Sequence, residues 1–260
     1  MQNNLHEALA KAANRYPIEL VVEQVNDIPR IFYHVGLALK GIEPKPPGEL
    51  EICDLGGGVG LFSIGCAALG FRRTVLVDDF NDFINSNVGG GQSILDLHRD
   101  SGVEVVSRDV IAKGISDLEG YFDIITSFDS MEHWHNSPKQ LFAEVVAKLK
   151  PGGVFILGVP NSVNLRKRIS VPLGKGNWSS MEHWYEQPQF RGHVREPVVE
   201  DLIYISNDMK LHDVEIFGRN WLGYYSRNPA VRALTKLMDY PLRLRPSLCS
   251  DLYMIGKKPN

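Results

Sequence analysis

The stretch "LEICDLGGGVGLFSIGCAALG", Leu50 to Gly70, decides the fold. It runs from a short apolar segment (50–55) through a glycine turn into an apolar helical segment that stops at Gly70. Asp54, Gly56, Gly58 and Gly60 take the spacing D-x-G-x-G-x-G. Glycines after a first strand permit a tight turn and close approach of a ligand to the backbone at a helix N-terminus. A dinucleotide fingerprint would place its third glycine at Leu61 or Ser63, and a phosphate-binding loop would continue into Gly-Lys-Ser/Thr. The turn fits neither.

Outward from the turn, apolar segments alternate with helical ones. "RTVLVDD" (73–79), "GVEVVSRD" (102–109) and "YFDIITSFD" (121–129) read as strands two to four. A helix follows, with Ser137 as cap, Pro138 at its first position, and Leu141, Val145 and Leu149 at helical spacing. "PGG" (151–153) stops it, and "VFILGVP" (154–160) is a continuous apolar run of the kind buried on both faces. "LHDVEIFGR" (211–219) and "SDLYMIGKKP" (250–259) complete seven strands. The alternation predicts an α/β fold, a parallel sheet with helices on both faces. Upstream, residues 4–40 predict two helices, the second starting at Asp27 and stopping at Gly41, and "EPKPPGE" (43–49) is a linker.

The 260 residues are 43% hydrophobic and 23% charged, as in ordinary globular proteins. The N-terminal segment lacks the apolar core of a secretory signal, and no segment supplies the roughly 18 uninterrupted apolar residues of a membrane span. Cys53, Cys66 and Cys249 are odd in number and far apart, which suits reduced thiols in a cytoplasmic protein. The net charge of −3 is unevenly spread: residues 1–164 carry 13 Lys+Arg against 21 Asp+Glu, and residues 165–260 carry 15 against 10. The second part therefore offers either a solvated basic surface or a patch for an anionic acceptor, such as a diphosphate carrier or lipid headgroup.

With its preceding acid, the glycine turn resembles motif I of class I S-adenosylmethionine (SAM)-dependent methyltransferases. The resemblance covers residues 50–160 most closely and includes "LKPGG" before the fifth strand. It implies a Rossmann-like, seven-stranded, mostly parallel sheet with a terminal antiparallel strand and, here, an N-terminal helical cap, all in one domain spanning 1–260. It also implies SAM as cofactor, held by Asp54, Gly56, Gly58 and Gly60, by Asp78 with Asp79 as near rival on the ribose hydroxyls, by Asp109 and Val110 at the adenine, and by Phe128 at the end of strand four.

Strand four leads into "SFDSMEHWHNS" (127–137), which resembles the D-x-x-E-H stretch of type-11/12 methyltransferases. In the quinone-biosynthesis and small-RNA branches of that superfamily, a similar stretch joins a distant His around a divalent cation. The matching set is Asp129, Glu132 and His133 with His193 of "FRGHVREP", for Mg²⁺ or Mn²⁺; on a single helical turn the first three would share one face. In the other reading Glu132 and His133 close the cofactor pocket, with His133 as general base. Glu132, His133 and His193 are thus the expected catalytic set.

The tetrapeptide recurs in "WSSMEHWYEQ" (178–187), where no family motif supports it and His183 is only a reserve ligand. That copy lies in a segment, 161–196, where this class places substrate-side insertions. Trp178, Trp184, Tyr185 and Phe190 among arginines suit either an acceptor site or the packed underside of a lid. A second insertion, 220–249, carries Val231, Leu234, Leu237 and Met238 on one helical face, read as core before membrane anchor. The "RGHVREP" segment also resembles methyltransferases of bacterial glycan clusters. The expected reaction is O-methylation of a small acceptor, with a saccharide or saccharide-linked hydroxyl favoured. A quinol or lipid precursor is the runner-up acceptor, and a catalytically silent SAM-binding regulator the rival of another class. A glycan- or lipid-linked partner and a peripheral membrane contact fit this reading; nucleic acid is not expected from an acidic chain with no appended RNA-binding module. The oligomeric state is left open.

Overall fold

The structure is a computed structural model that describes residues 2–42, 44–80, 91–186, 190–226 and 228–259. Glu43 of the expected linker, residues 187–189 of the first insertion and Arg227 of the second lie outside the described residues. Seven strands form one sheet: β1 (Glu51–Leu55), β2 (Arg73–Asp78), β3 (Val103–Ser107), β4 (Phe122–Phe128), β5 (Leu149–Pro160), β6 (His212–Arg219) and β7 (Asp251–Lys257). Their order is β3-β2-β1-β4-β5-β7-β6. The first five pair in parallel, and β7 runs antiparallel between β5 and β6.

Alternation along the strands sends side chains to two cores. Ile52, Ile124 and Ile156 face a layer built by α1 (Gln2–Ala13), α2 (Ile18–Ile42), α3 (Phe62–Ala68) and α4 (Gly91–Asp100). Their neighbours Cys53, Ile125 and Phe155 face the opposite layer, with Leu141, Phe142 and Val145 of the helix α6 described below. The cap packs closely: a Cβ on Gly65 of α3 would lie 3.2 Å from Val35 and 3.3 Å from Leu9. The three cysteines are buried and unbridged.

Helix α2 begins nine residues before the expected Asp27 and runs through Pro29. An internal proline costs about 3 kcal/mol. The apolar stripe Leu20, Ile28, Ile31 and Val35 is nonetheless continuous across it, and burial of that stripe offsets the lost hydrogen bond. Asp27 bonds Arg30 one turn on and caps no helix. After α5 (Val110–Lys113), α6 (Lys139–Lys148) starts one residue later than expected; Pro138 is its N-cap, and the Ser137 hydroxyl accepts from the Lys139 N–H.

Between β5 and α9 (Val199–Asp208) lie α7 (Leu165–Ser170) and α8 (Met181–Tyr185). Between β6 and β7 lies α10 (Pro229–Arg243). The apolar face of α10, expected to be core, is exposed: Val231, Leu234, Leu237 and Met238 all face solvent. The helix docks by its polar side, where Asp239 is buried against Asn220, Arg219 and Arg243. Trp178, Trp184 and Tyr185 are exposed too, which removes the reading of a packed lid underside for them. Among the described residues no helix is long and apolar enough to cross a membrane.

Candidate functional site

The glycine turn sits at the carboxyl ends of β1, β2 and β4, where open α/β sheets bind ligands. Gly56 and Gly58 have φ of +69° and +55°, which L side chains rarely adopt. A Cβ on Gly56 would lie 1.8 Å from the Ser130 hydroxyl, so the turn is pressed against the end of β4. Among the described residues, a Cβ on Gly58 would meet nothing within 4 Å, and that residue lines a cleft of about 1320 Å³. The Asp78 carboxylate accepts from Gly58 N–H at 2.9 Å and Phe80 N–H at 2.7 Å, fixing the turn to the end of β2.

Asp54 lies beneath the turn. Its carboxylate accepts from the hydroxyls of Thr126 at 2.8 Å and Ser63 at 3.2 Å. Burial pushes its pKa up to about 7 against the pull of those hydroxyls. Asp109 caps α5, accepting from the N–H groups of Ile111 and Ala112, and Val110 is buried beside it. Phe128 stacks on His34 of α2, centroids 4.0 Å apart. His34 is buried and neutral, because desolvation holds its pKa well below the usual range, and its Nε2 lies 2.8 Å from the Tyr253 hydroxyl. All nine residues expected at the cofactor, from Asp54 to Phe128 and including Gly60 and Asp79, border this one cleft. A turn with left-handed glycines, an open approach at Gly58 and carboxylates at the ends of β2 and β3 fits an adenosyl cofactor.

Beside the cleft, three of the four expected metal ligands come together. The ligand atoms of Glu132, His133 and His193 all lie within 4.8 Å of one another. The Nε2 atoms of His133 and His193 are 4.0 Å and 3.9 Å from Glu132 Oε1. Each imidazole is oriented through its other nitrogen: His133 Nδ1 donates to the Arg191 carbonyl at 2.8 Å, and His193 Nδ1 to Glu196 Oε1 at 2.8 Å. That places Nε2 of both rings on the Glu132 side, the arrangement seen where a carbonyl or carboxylate supports a ligating histidine. Glu132 is buried, and among the described residues its Oε2 has no hydrogen-bond partner. Burial, and secondarily Asp129, push its pKa well above the carboxylate range. A cation in place of a proton would relieve that cost, so the donor set fits a divalent ion.

Asp129 stands outside this cluster, in contrast to the sequence expectation. Its φ of +49° breaks the assumed helical turn and carries its carboxylate to Arg30, which also grips Asp27 at 2.8 Å and 3.0 Å. Only Met131–His133 forms a turn, and a 3₁₀ one. The Glu132 carbonyl accepts from Val194 N–H at 2.7 Å and Arg195 N–H at 3.2 Å, which brings in His193 on the segment that also supplies the Arg191 carbonyl, itself 58 residues from His133. The reserve ligand His183 is exposed on α8, its ring 5.7 Å from Phe190.

Sequence reasoning missed Arg30, Glu196 and His34. The i,i+3 spacing in "HVRE" (193–196) and "DIPR" (27–30) was a usable signal for the first two. His34 offered none.

A family model described as a methyltransferase domain matches residues 21–202. No curated protein matches in sequence. Among solved structures, a SAM-dependent methyltransferase from Archaeoglobus fulgidus superposes with a TM-score of 0.53 at 21% identity, covering 87% of this chain and 94% of that one. A SAM-dependent methyltransferase from Mesorhizobium loti gives 0.53 at 15% identity, covering 89% and 97%. Magnesium protoporphyrin IX methyltransferase from Synechocystis PCC 6803, with S-adenosylhomocysteine (SAH) bound, gives 0.52 at 15% identity, covering 90% and 84%. At these identities the likeness is one of fold.

Proposed function

Since the chain belongs to the methyltransferase-domain family, we propose that it transfers the SAM methyl group to an oxygen of a small polar acceptor, a saccharide or saccharide-linked hydroxyl, beside a divalent cation. The observation that carries the reading is the approach of His133 Nε2 and His193 Nε2 to Oε1 of the buried Glu132, whose other oxygen, Oε2, has no hydrogen-bond partner among the described residues, next to the cleft. Bound SAM would supply an electrophilic methyl on a sulfonium. The ion would lower the acceptor hydroxyl's pKa.

The chain's own part is to hold and align, since a sulfonium needs little covalent help. The Gly56–Gly60 turn and Asp78 take the methionine and ribose ends, and Asp109 and Val110 take the adenine. The Phe128–His34 stack walls the cleft against water, and Ser130 holds the turn against the end of β4. Glu132, His133 and His193 would hold the ion; their two nitrogen donors suit Mn²⁺ or Fe²⁺ better than the oxygen-seeking Mg²⁺.

A polar acceptor is supported by the cleft's rim, where Arg30, His135, Asn136, Arg191 and Arg232 stand. Arg191 and Arg232 come from the 161–196 and 220–249 segments, which supports reading both as substrate-side insertions of one domain. The test is transfer from labelled SAM to extracted glycans, in excess EDTA and after Mn²⁺ is restored. The reading requires loss and recovery. Full transfer in EDTA would leave His133 as a proton acceptor without an ion; transfer to quinols alone would move the acceptor class. Tight SAM binding with no transfer to either extract would support a SAM-binding regulator.

A further inference from the structure

We propose that α10 and the 165–185 segment dock the protein on an anionic lipid bilayer surface. Helix α10 is amphipathic and inside out. Thr235 and Asp239, four residues apart, face the body: a Cβ on Gly223 would lie 1.8 Å from the Thr235 hydroxyl, and Asp239 is buried among Asn220, Arg219 and Arg243. Opposite them, Leu234, Leu237, Tyr240 and Leu244 face solvent, Leu237 at 73% and Leu244 at 77% exposure. An ordinary surface helix turns the other way, because the hydrophobic effect favours burial of its apolar face.

The neighbouring segment repeats the pattern. Leu173, Trp178, Met181 and Tyr185 are exposed, Trp178 at 82%. The two regions meet where the Arg168 guanidinium donates to the Ser247 carbonyl at 3.2 Å, just past the end of α10. Such apolar patches on a protein surface mark an interaction site.

Charge selects the occupant. The segment 165–185 carries Arg166, Arg168 and Lys175 against Glu182, its Lys167 being buried on Glu196, and 228–249 carries Arg232, Lys236, Arg243 and Arg245 against Asp239 alone. Asp239 is buried and paired with Arg243, so the charges this region leaves for solvent are those of Arg232, Lys236 and Arg245, all positive. A second copy docking by the same face in two-fold symmetry would set these cations against one another. An anionic headgroup layer complements them, leaving leucines for the acyl boundary and Trp and Tyr for the headgroup level. The cleft is adjacent, since Arg232 of α10 is one of its lining residues.

The proposal stands without the O-methylation reading, and its test measures no methyl transfer. The full chain is sedimented with phosphatidylcholine vesicles and with vesicles containing phosphatidylglycerol, at low and high salt. Binding to the anionic vesicles at least tenfold tighter, weakened by salt, is expected. Leu234→Asp/Leu237→Asp should abolish it, and Lys175→Glu/Arg245→Glu should weaken it at least tenfold, at about fivefold per cation. Unchanged thermal melting and SAH binding would show that the variants fold. Failure of the wild type to bind, binding untouched by these substitutions, or a wild-type dimer that Leu237→Asp converts to a monomer would each overturn the proposal.

Discussion

The chain contains Met-Glu-His-Trp twice, at 131–134 and at 181–184, and the two copies differ in every physical respect that matters for chemistry. In the first, Glu132 is 1% exposed, the ring of His133 is oriented by a backbone carbonyl, and a second imidazole faces the carboxylate. In the second, the same residues form a short exposed helix capped by Ser180, and the His183 ring lies edge-on to Phe190. Identical side chains acquire a function from what desolvates and orients them. The first copy sits where a parallel strand ends beside a glycine turn; the second lies in an exposed short helix of the segment after β5.

The largest break in this contrast should come from the first histidine. His133→Ala removes a group beside the cleft and is expected to lower transfer by about 10²- to 10⁴-fold, the range for loss of a positioned acid–base or ligand group. The measurement is single-turnover transfer at saturating SAM, with SAH affinity as control. An effect below tenfold would place the chemistry elsewhere.

Burial of acids is the other half of the contrast, and Asp54 isolates it from the histidines. Its pKa of about 7 lies above the ordinary carboxylate value, so the folded protein holds its proton more tightly than the unfolded chain does. This contribution to stability is fully present below about pH 4 and is lost as pH rises to about 7, at most about 4 kcal/mol for a shift of this size. Asp54→Asn should flatten that part of the melting-temperature profile between about pH 4 and about pH 7. A variant with the same pH slope as wild type would deny the burial cost. SAH binding measured alongside tells whether the carboxylate matters to the turn it lies beneath.

Glu196 sharpens the comparison because, among the described residues, it supports a histidine facing the first copy. Glu196→Gln should weaken Mn²⁺ binding by about 10- to 100-fold, as for other groups that orient a ligating histidine. Titration calorimetry with Mn²⁺ reads this without turnover. A purely structural role would lower the melting temperature and leave Mn²⁺ affinity intact.

What the sequence made legible follows from the range of the forces involved. The glycine turn, the strands and the pairing of residues 132–133 with His193 were readable because turn chemistry and apolar periodicity are local, and because the motif resemblance supplied the long-range partner. The Arg30–Asp129 pair was not, since a left-handed φ at Asp129 is set by its contact with β5, where its N–H donates to the Gly158 carbonyl at 2.9 Å. The amphipathicity of α10 was plain, yet periodicity identifies a face and not the side on which the helix packs. That choice came from Asp239, whose partners Arg219 and Asn220 are remote in sequence.

The smallest effect belongs to the second copy and is the control that gives the first its meaning. Glu182→Gln/His183→Ala alters two exposed side chains outside the Glu132 cluster. Surface substitutions of this kind stay within about 0.5 kcal/mol in stability. Transfer and Mn²⁺ affinity should therefore remain within about twofold of wild type, since 0.5 kcal/mol is little more than a factor of two. If this variant instead lost transfer as His133→Ala does, α8 would have to close over the cleft during turnover. The acceptor would then be held between the two copies of the tetrapeptide, and the contrast between them would be one of conformational state.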